Sequence, residues 1–164
     1  MDQIKCGCCG NYHDAENMDI SYKKPFSYFQ VSEEDRETRI NHESDDFIVI
    51  DNEIFVVRGV LPIPVHEHDE FCWGIWAQVD EQTFADIWHM FEHDGSGLIF
   101  DGKLDGAPPG YKDTYEQPVK IHLGTSDQRP RFMFTNDCCK MSQEQINGVT
   151  LHEISETREA ILGR

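Results

Sequence analysis

Apolar and polar residues alternate most clearly in the middle of the chain. Phe71, Trp73, Ile75, Ala77 and Val79 share one side, with Trp76 on the other. This period of two predicts a strand over Phe71–Val79. Gly74 inside it predicts a bulge or the close approach of another backbone. Upstream, Phe47–Ile50 is apolar, Asp51–Asn52 has turn chemistry and Glu53–Val60 is rich in β-branched residues. Together they predict a hairpin. Leu61–Val65 carries Pro62 and Pro64, which suit an edge or an exit from the sheet. After Asp80 the period changes: Phe84, Ile87, Trp88 and Phe91 fall at i, i+3, i+4 and i+7. They predict one apolar helical stripe, capped by Asp80 and ended by Asp94–Gly95. Ser32, followed by Glu33–Glu34–Asp35, predicts a short helix reaching about Arg39. Gly97–Phe100, Pro118–Leu123 and Arg131–Thr135 predict further strands, the last two joined through Gly124–Gln128. Gly102–Gly110 reads as a turn-rich loop. Thr150 and Glu153 form a capping box, with Leu151, Ile154 and Ile161 on one side of a closing helix. Strands joined by turns, with few helices, predict a single α+β domain with a mainly antiparallel sheet.

The length of 164 residues suits one hydrophobic core. An aromatic content of 11% excludes a disordered acidic tail. No apolar run approaches the roughly 18 residues of a membrane span, and the first twenty residues hold no apolar signal core. The expectation is therefore a cytoplasmic protein with no membrane partner. Fourteen Lys and Arg stand against 31 Asp and Glu, for a net charge of −17. That balance argues against nucleic-acid binding, which needs clustered cations. From Gly59 to Gly102 there is no Lys or Arg, whereas nine carboxylates lie there. Such a run is ordinarily a solvated face. Its functional reading is a negative surface for a basic protein partner, as in immunity or chaperone proteins. Nothing in the pattern fixes the oligomeric state.

The cysteines add candidate chemistry. Cys6 and Cys9 have the C-x-x-C spacing, Gly10 follows directly and His13 lies four residues after Cys9. Two thiolates on a tight turn and a nearby imidazole can hold one zinc ion. Residues 1–20 thus read as a zinc-knuckle-like segment packed on a body of residues 21–164. Cys138 or Cys139 supplies a fourth ligand. Cys72, inside the predicted strand, is better explained as a small buried hydrophobe. Without a fourth ligand, Cys6, Cys9 and His13 would leave a position for water. Ordinary reduced thiols are the competing reading. Asp86, His89 and His93 share a helix face but fit its polar side equally well. No metalloprotease, nucleophile-elbow, P-loop or dinucleotide motif occurs, so a non-enzymatic protein is the first expectation. The alternative is a small-ligand pocket or enzyme in which Arg58 and Arg129 hold an anionic group beside Trp73, Trp76 and Tyr111. Core packing is the ordinary explanation for those aromatics.

Several short motifs occur in a fixed order. They are Cys6-x-x-Cys9-Gly10-x-x-His13, Val57-Arg58-Gly59, Ile63-Pro64-Val65 and Phe71-x-Trp73-Gly74-Ile75-Trp76, followed by Pro109-Gly110-Tyr111-x-x-Thr114, Arg129-Pro130 and Glu144-Gln145-x-x-Gly148-Val149-Thr150. In this order the chain resembles the uncharacterised bacterial family known as domain of unknown function 2199. The resemblance implies no activity. It does bear on the fourth ligand: counted back from Glu144-Gln145, Cys139 stands where the family tends to have histidine. Cys for His is an exchange that zinc tolerates. The implied ligand set is Cys6, Cys9, His13 and Cys139 around a structural zinc.

Overall fold

Asp51 and Asn52 both take positive φ, 55° and 52°. These short polar side chains tolerate the left-handed region that a tight hairpin needs. The hairpin they create joins Phe47–Ile50 to Ile54–Ile63. The computed structural model describes residues 20–162, together with 3–5 and 12–14. In chain order the elements are β1 (Gln3–Lys5), β2 (Tyr12–Asp14), β3 (Ile20–Ser21), α1 (Phe26–Phe29), α2 (Arg36–Arg39) and β4 (Ile40–Glu43). There follow β5 (Phe47–Ile50), β6 (Ile54–Ile63), β7 (Phe71–Val79), α3 (Glu81–Met90) and β8 (Ile99–Leu104). The chain closes with β9 (Pro118–His122), β10 (Arg131–Phe134), α4 (Lys140–Asn147) and α5 (Leu151–Leu162).

The sheet closes on itself. β6 pairs antiparallel with β7 from Phe55↔Val79 to Ile63↔Phe71. β7 passes to β8, β8 to β9 and β9 to β10, all antiparallel. β10 then returns to β6 in parallel at Arg131↔Val60. The result is a five-stranded barrel in a single domain, with β5 and β4 continuing outward from β6. The expected antiparallel sheet is present, but its closure was not legible, because pairing partners distant in sequence leave no local pattern. Gly59 makes the seam possible. A Cβ there would come within 2.5 Å of Phe132 Cζ and 2.7 Å of the Pro130 carbonyl oxygen. Gly74 likewise admits β3, since its Cβ would meet Ser21 Oγ at 2.5 Å.

One core cluster unites Leu61, Ile63, Phe71, Trp73, Ile121 and Phe132 with Met141, Leu151 and Ile154 of the last two helices. A smaller one holds Val31, Ile48, Ile50, Val56 and Trp76. Both faces of β5 are therefore covered, which explains why Phe47–Ile50 is apolar throughout instead of alternating.

Four sequence expectations are corrected. Pro62 lies within β6 opposite Cys72 rather than at an exit; its carbonyl accepts from Gln145 Nε2, so a side chain serves where β10 pairs with β6 only at Val60. β8 runs on to Leu104, through what reads as loop, because Gly102 packs against Ile121 and the Gln78 carbonyl. The Ser32 helix is only the four residues of α2, and the Ser32 carbonyl, not its hydroxyl, accepts the Asp35 and Arg36 N–H groups. The α3 stripe is only partly covered: Ile87 is buried, whereas Trp88 and Phe91 are 43% and 51% exposed.

Candidate functional site

The Asp80 carboxylate accepts the Thr83 N–H and opens α3 where the sequence places it. The helix ends at Met90, and Glu92 takes φ 72° as the chain turns away. Beside that end, the connection from β9 to β10 folds on itself. Gln128 Oε1 accepts the Thr125 N–H at 3.1 Å, and the Gly95 N–H reaches the Gly124 carbonyl at 3.0 Å. These bonds hold residues 124–130 against the end of α3. Between them and the start of β6 lies a cleft of about 290 Å³. Met90, Phe91 and Leu123 contribute apolar surface; Arg58 and Arg129 contribute the cations.

The two arginines are held differently. Arg129 Nε donates to Asp46 Oδ1 at 2.8 Å. Arg58 has no carboxylate within ion-pair distance among the described residues. Its Nη1 meets only the Asp45 carbonyl, at 3.3 Å, and its buried Nε has no hydrogen-bond partner. Burial pushes the Arg58 pKa down, and the adjacent Arg129 guanidinium adds to the shift; Asp46 and Asp45 oppose it. Arg58 remains a cation, since an arginine does not lose its proton in a folded protein at neutral pH. A guanidinium next to a second one, in a chain with a net charge of −17, leaves bidentate donors for an anionic group. Glu92 and Asp127 on the lining limit the long-range attraction, so recognition must come from short-range contact.

The other residues singled out from the sequence fall elsewhere. Trp73 and Trp76 are three apart on one strand, so they face opposite sides, and they enter different clusters. Trp76 sits opposite Arg58 in the β6–β7 ladder, with the Arg58 guanidinium 5.9 Å from its ring centroid. Tyr111 packs against Trp73, with centroids 5.3 Å apart, and its hydroxyl donates to Glu144 Oε1 at 2.8 Å. Neither Trp73, Trp76 nor Tyr111 lines the cleft. Cys139 is buried at the start of α4, its sulfur 3.9 Å from that of Cys138. Cys6, Cys9 and the side chain of His13 lie outside the described residues. Among the described residues, no group of three His, Cys, Asp or Glu is placed to hold a metal, the Asp86–His89–His93 face included. Asp46 carries no sequence signal; Gly124–Gln128 reads only as a strand-joining turn, and Arg129 is the candidate that pointed toward this wall.

Fold and cleft together define a small single-domain barrel protein with an arginine-bearing surface cavity. The family described as uncharacterized protein conserved in bacteria (DUF2199) matches residues 5–149, and the chain belongs to that family. No curated protein and no solved structure matches it. No helix among the described residues is long and apolar enough to cross a membrane.

Proposed function

We propose that the protein binds a small organic anion, a carboxylate or phosphate on a compact apolar body, in the cleft between α3 and the β9–β10 connection. The observation that carries this reading is Arg58: a partly buried guanidinium beside a second one, with no carboxylate of its own. The cleft volume lies at the lower end of the range for small-molecule sites, and its mixed lining suits a ligand with one charged end. Thermal melts with benzoate and phenyl phosphate test it, with benzamide as the uncharged control. A ligand at ten times its Kd stabilises by about 1.4 kcal/mol, a shift of roughly 3–6 °C for a chain of this size. Shifts of that order with the two anions and none with benzamide are expected. Equal shifts with all three, or none, would overturn the reading.

A second reading, a basic protein partner, is favoured by Trp88 and Phe91. Both are exposed on the Lys/Arg-free stretch, near Asp86 and Glu92. Such a complex weakens steeply as salt rises. A structural zinc at Cys6, Cys9, His13 and Cys139 is proposed alongside either reading. Its support is the spacing of the first three, together with β2, which carries His13, lying against α5.

A further inference from the structure

A second cavity, of about 140 Å³, lies on another part of the molecule, between the β3–α1 segment, β7 and residues 105–108. It shares no lining residue with the arginine cleft. Tyr22, Phe26 and Phe29 bring three accessible aromatic side chains to its wall, over the buried Trp76. Asp105 lies among them and is 1% exposed. Its carboxylate accepts the Ser27 N–H at 3.1 Å and Gln78 Nε2 at 3.2 Å, but no cation lies within ion-pair reach among the described residues. Lys24, also on the lining, is committed elsewhere, 2.5 Å from Glu43. Tyr22 Oη is buried without a hydrogen-bond partner.

A buried carboxylate held only by neutral donors is an expensive arrangement unless a cation compensates it. Burial accordingly pushes the Asp105 carboxyl above its usual range. Aromatic faces attract cations, and quaternary ammonium groups are recognised by cages of this composition. The size agrees, since a cavity of about 150 Å³ holds a ligand the size of benzene. We infer that this aromatic cavity, with Asp105 at its base, binds an organic ammonium headgroup of the trimethylammonium kind. The two sites share no lining residue, and Trp76 lies between them, with the Arg58 guanidinium 5.9 Å from its ring centroid.

Calorimetric titration of the full chain with choline, and with its uncharged isostere 3,3-dimethylbutan-1-ol, tests the inference. Choline is expected to bind at least about tenfold more tightly, the ratio that a desolvated cation–π contact supports. Phe29, 61% exposed, is outside both buried clusters and meets the Tyr28 ring and the Arg36 guanidinium at the surface, so Phe29→Ala is expected to leave the fold intact, which its unfolding midpoint checks. It is expected to weaken choline about tenfold, as is Asp105→Asn. Equal affinity for the two compounds would overturn the inference, as would absence of heat with choline up to about 20 mM. Choline binding unchanged in Phe29→Ala would overturn it too, by placing the cation elsewhere on the acidic surface. A short peptide bearing trimethyl-lysine distinguishes the source: tighter binding than choline identifies a protein side chain, and equal binding a free metabolite.

Discussion

At the scale of single residues, fixed backbone approaches and buried polar groups decide most of what can be tested. Gly59 has no room for a side chain where β10 crosses to β6. Gly59→Ala forces Phe132 or Pro130 to move, and overpacking of this kind costs roughly 1–3 kcal/mol. A urea midpoint unchanged in Gly59→Ala would contradict the tight seam. Glu144 gives a pH prediction. Burial lifts its carboxyl above the ordinary range, while the Tyr111 hydroxyl and Lys140 offset part of the shift. The folded chain thus holds this proton more tightly than the unfolded one. The stabilising contribution is full below the unfolded pKa of about 4.3 and is lost as pH rises through the folded value. Glu144→Gln still accepts the Tyr111 hydrogen bond but no longer titrates. Its stability relative to the parent should therefore rise between about pH 4 and pH 7. A fall over that interval in paired urea titrations would contradict the assignment.

At the scale of elements, α4 shows most clearly what local pattern left hidden. Its 3.6-residue period is weak, because its inward face presents polar Ser142 and Gln145 as well as Met141. Those polar groups are satisfied only in three dimensions. Ser142 Oγ accepts the Cys138 and Cys139 N–H groups at 2.9 Å and donates to the Cys139 carbonyl. Gln145 Nε2 donates to the carbonyls of Pro62 and Phe132, and its Oε1 accepts the Phe134 N–H at 2.9 Å. One carboxamide thus bridges β6 and β10 where their own ladder is a single pair. Gln145→Leu strands three backbone groups, and a loss of roughly 2–4 kcal/mol is expected from denaturant unfolding; a near-neutral change would contradict the bridge. By contrast, β7 was legible to the residue because it alternates, and the start of α3 because Asp80 caps it; α3 ends at Met90, short of the expected Asp94–Gly95. The barrel seam and α1 were not legible, because their partners are remote in sequence. The proposed zinc clamp belongs to this scale as well. Purified protein should carry about one zinc per chain, with metal and unfolding midpoint both reduced in Cys139→Ala. Zinc retained in that variant would remove Cys139 from the ligand set and point to Cys138, Cys8 or an open water position.

At the scale of the whole molecule, the charge excess dominates. The ion pairs of Arg39 with Asp51, Arg131 with Glu70 and Lys120 with Asp101 are all largely exposed and contribute little each. Raising salt from about 0.1 to 1 M shortens the screening length from roughly 10 to 3 Å and relieves self-repulsion at little cost to such pairs. The melting temperature should rise with added NaCl. A fall would mean that the surface pairs outweigh the repulsion. The same imbalance gives the anion cleft its meaning: in a chain so short of cations, Arg58 and Arg129 converge on one cavity. Both arginines were legible as candidates and Gly124–Gln128 as a strand-joining turn, whereas the carboxylate that engages only one of the arginines was not.

Binding of a small organic anion rests on these two guanidinium groups. Calorimetric titration of phenyl phosphate into the parent protein and into Arg58→Gln tests it most directly. A saturable site is expected in the parent, weakened at least about tenfold in the variant, since a hydrogen bond to a charged group contributes about 1.5–3 kcal/mol. Equal affinity in both proteins, or no saturable heat in the parent, would contradict it.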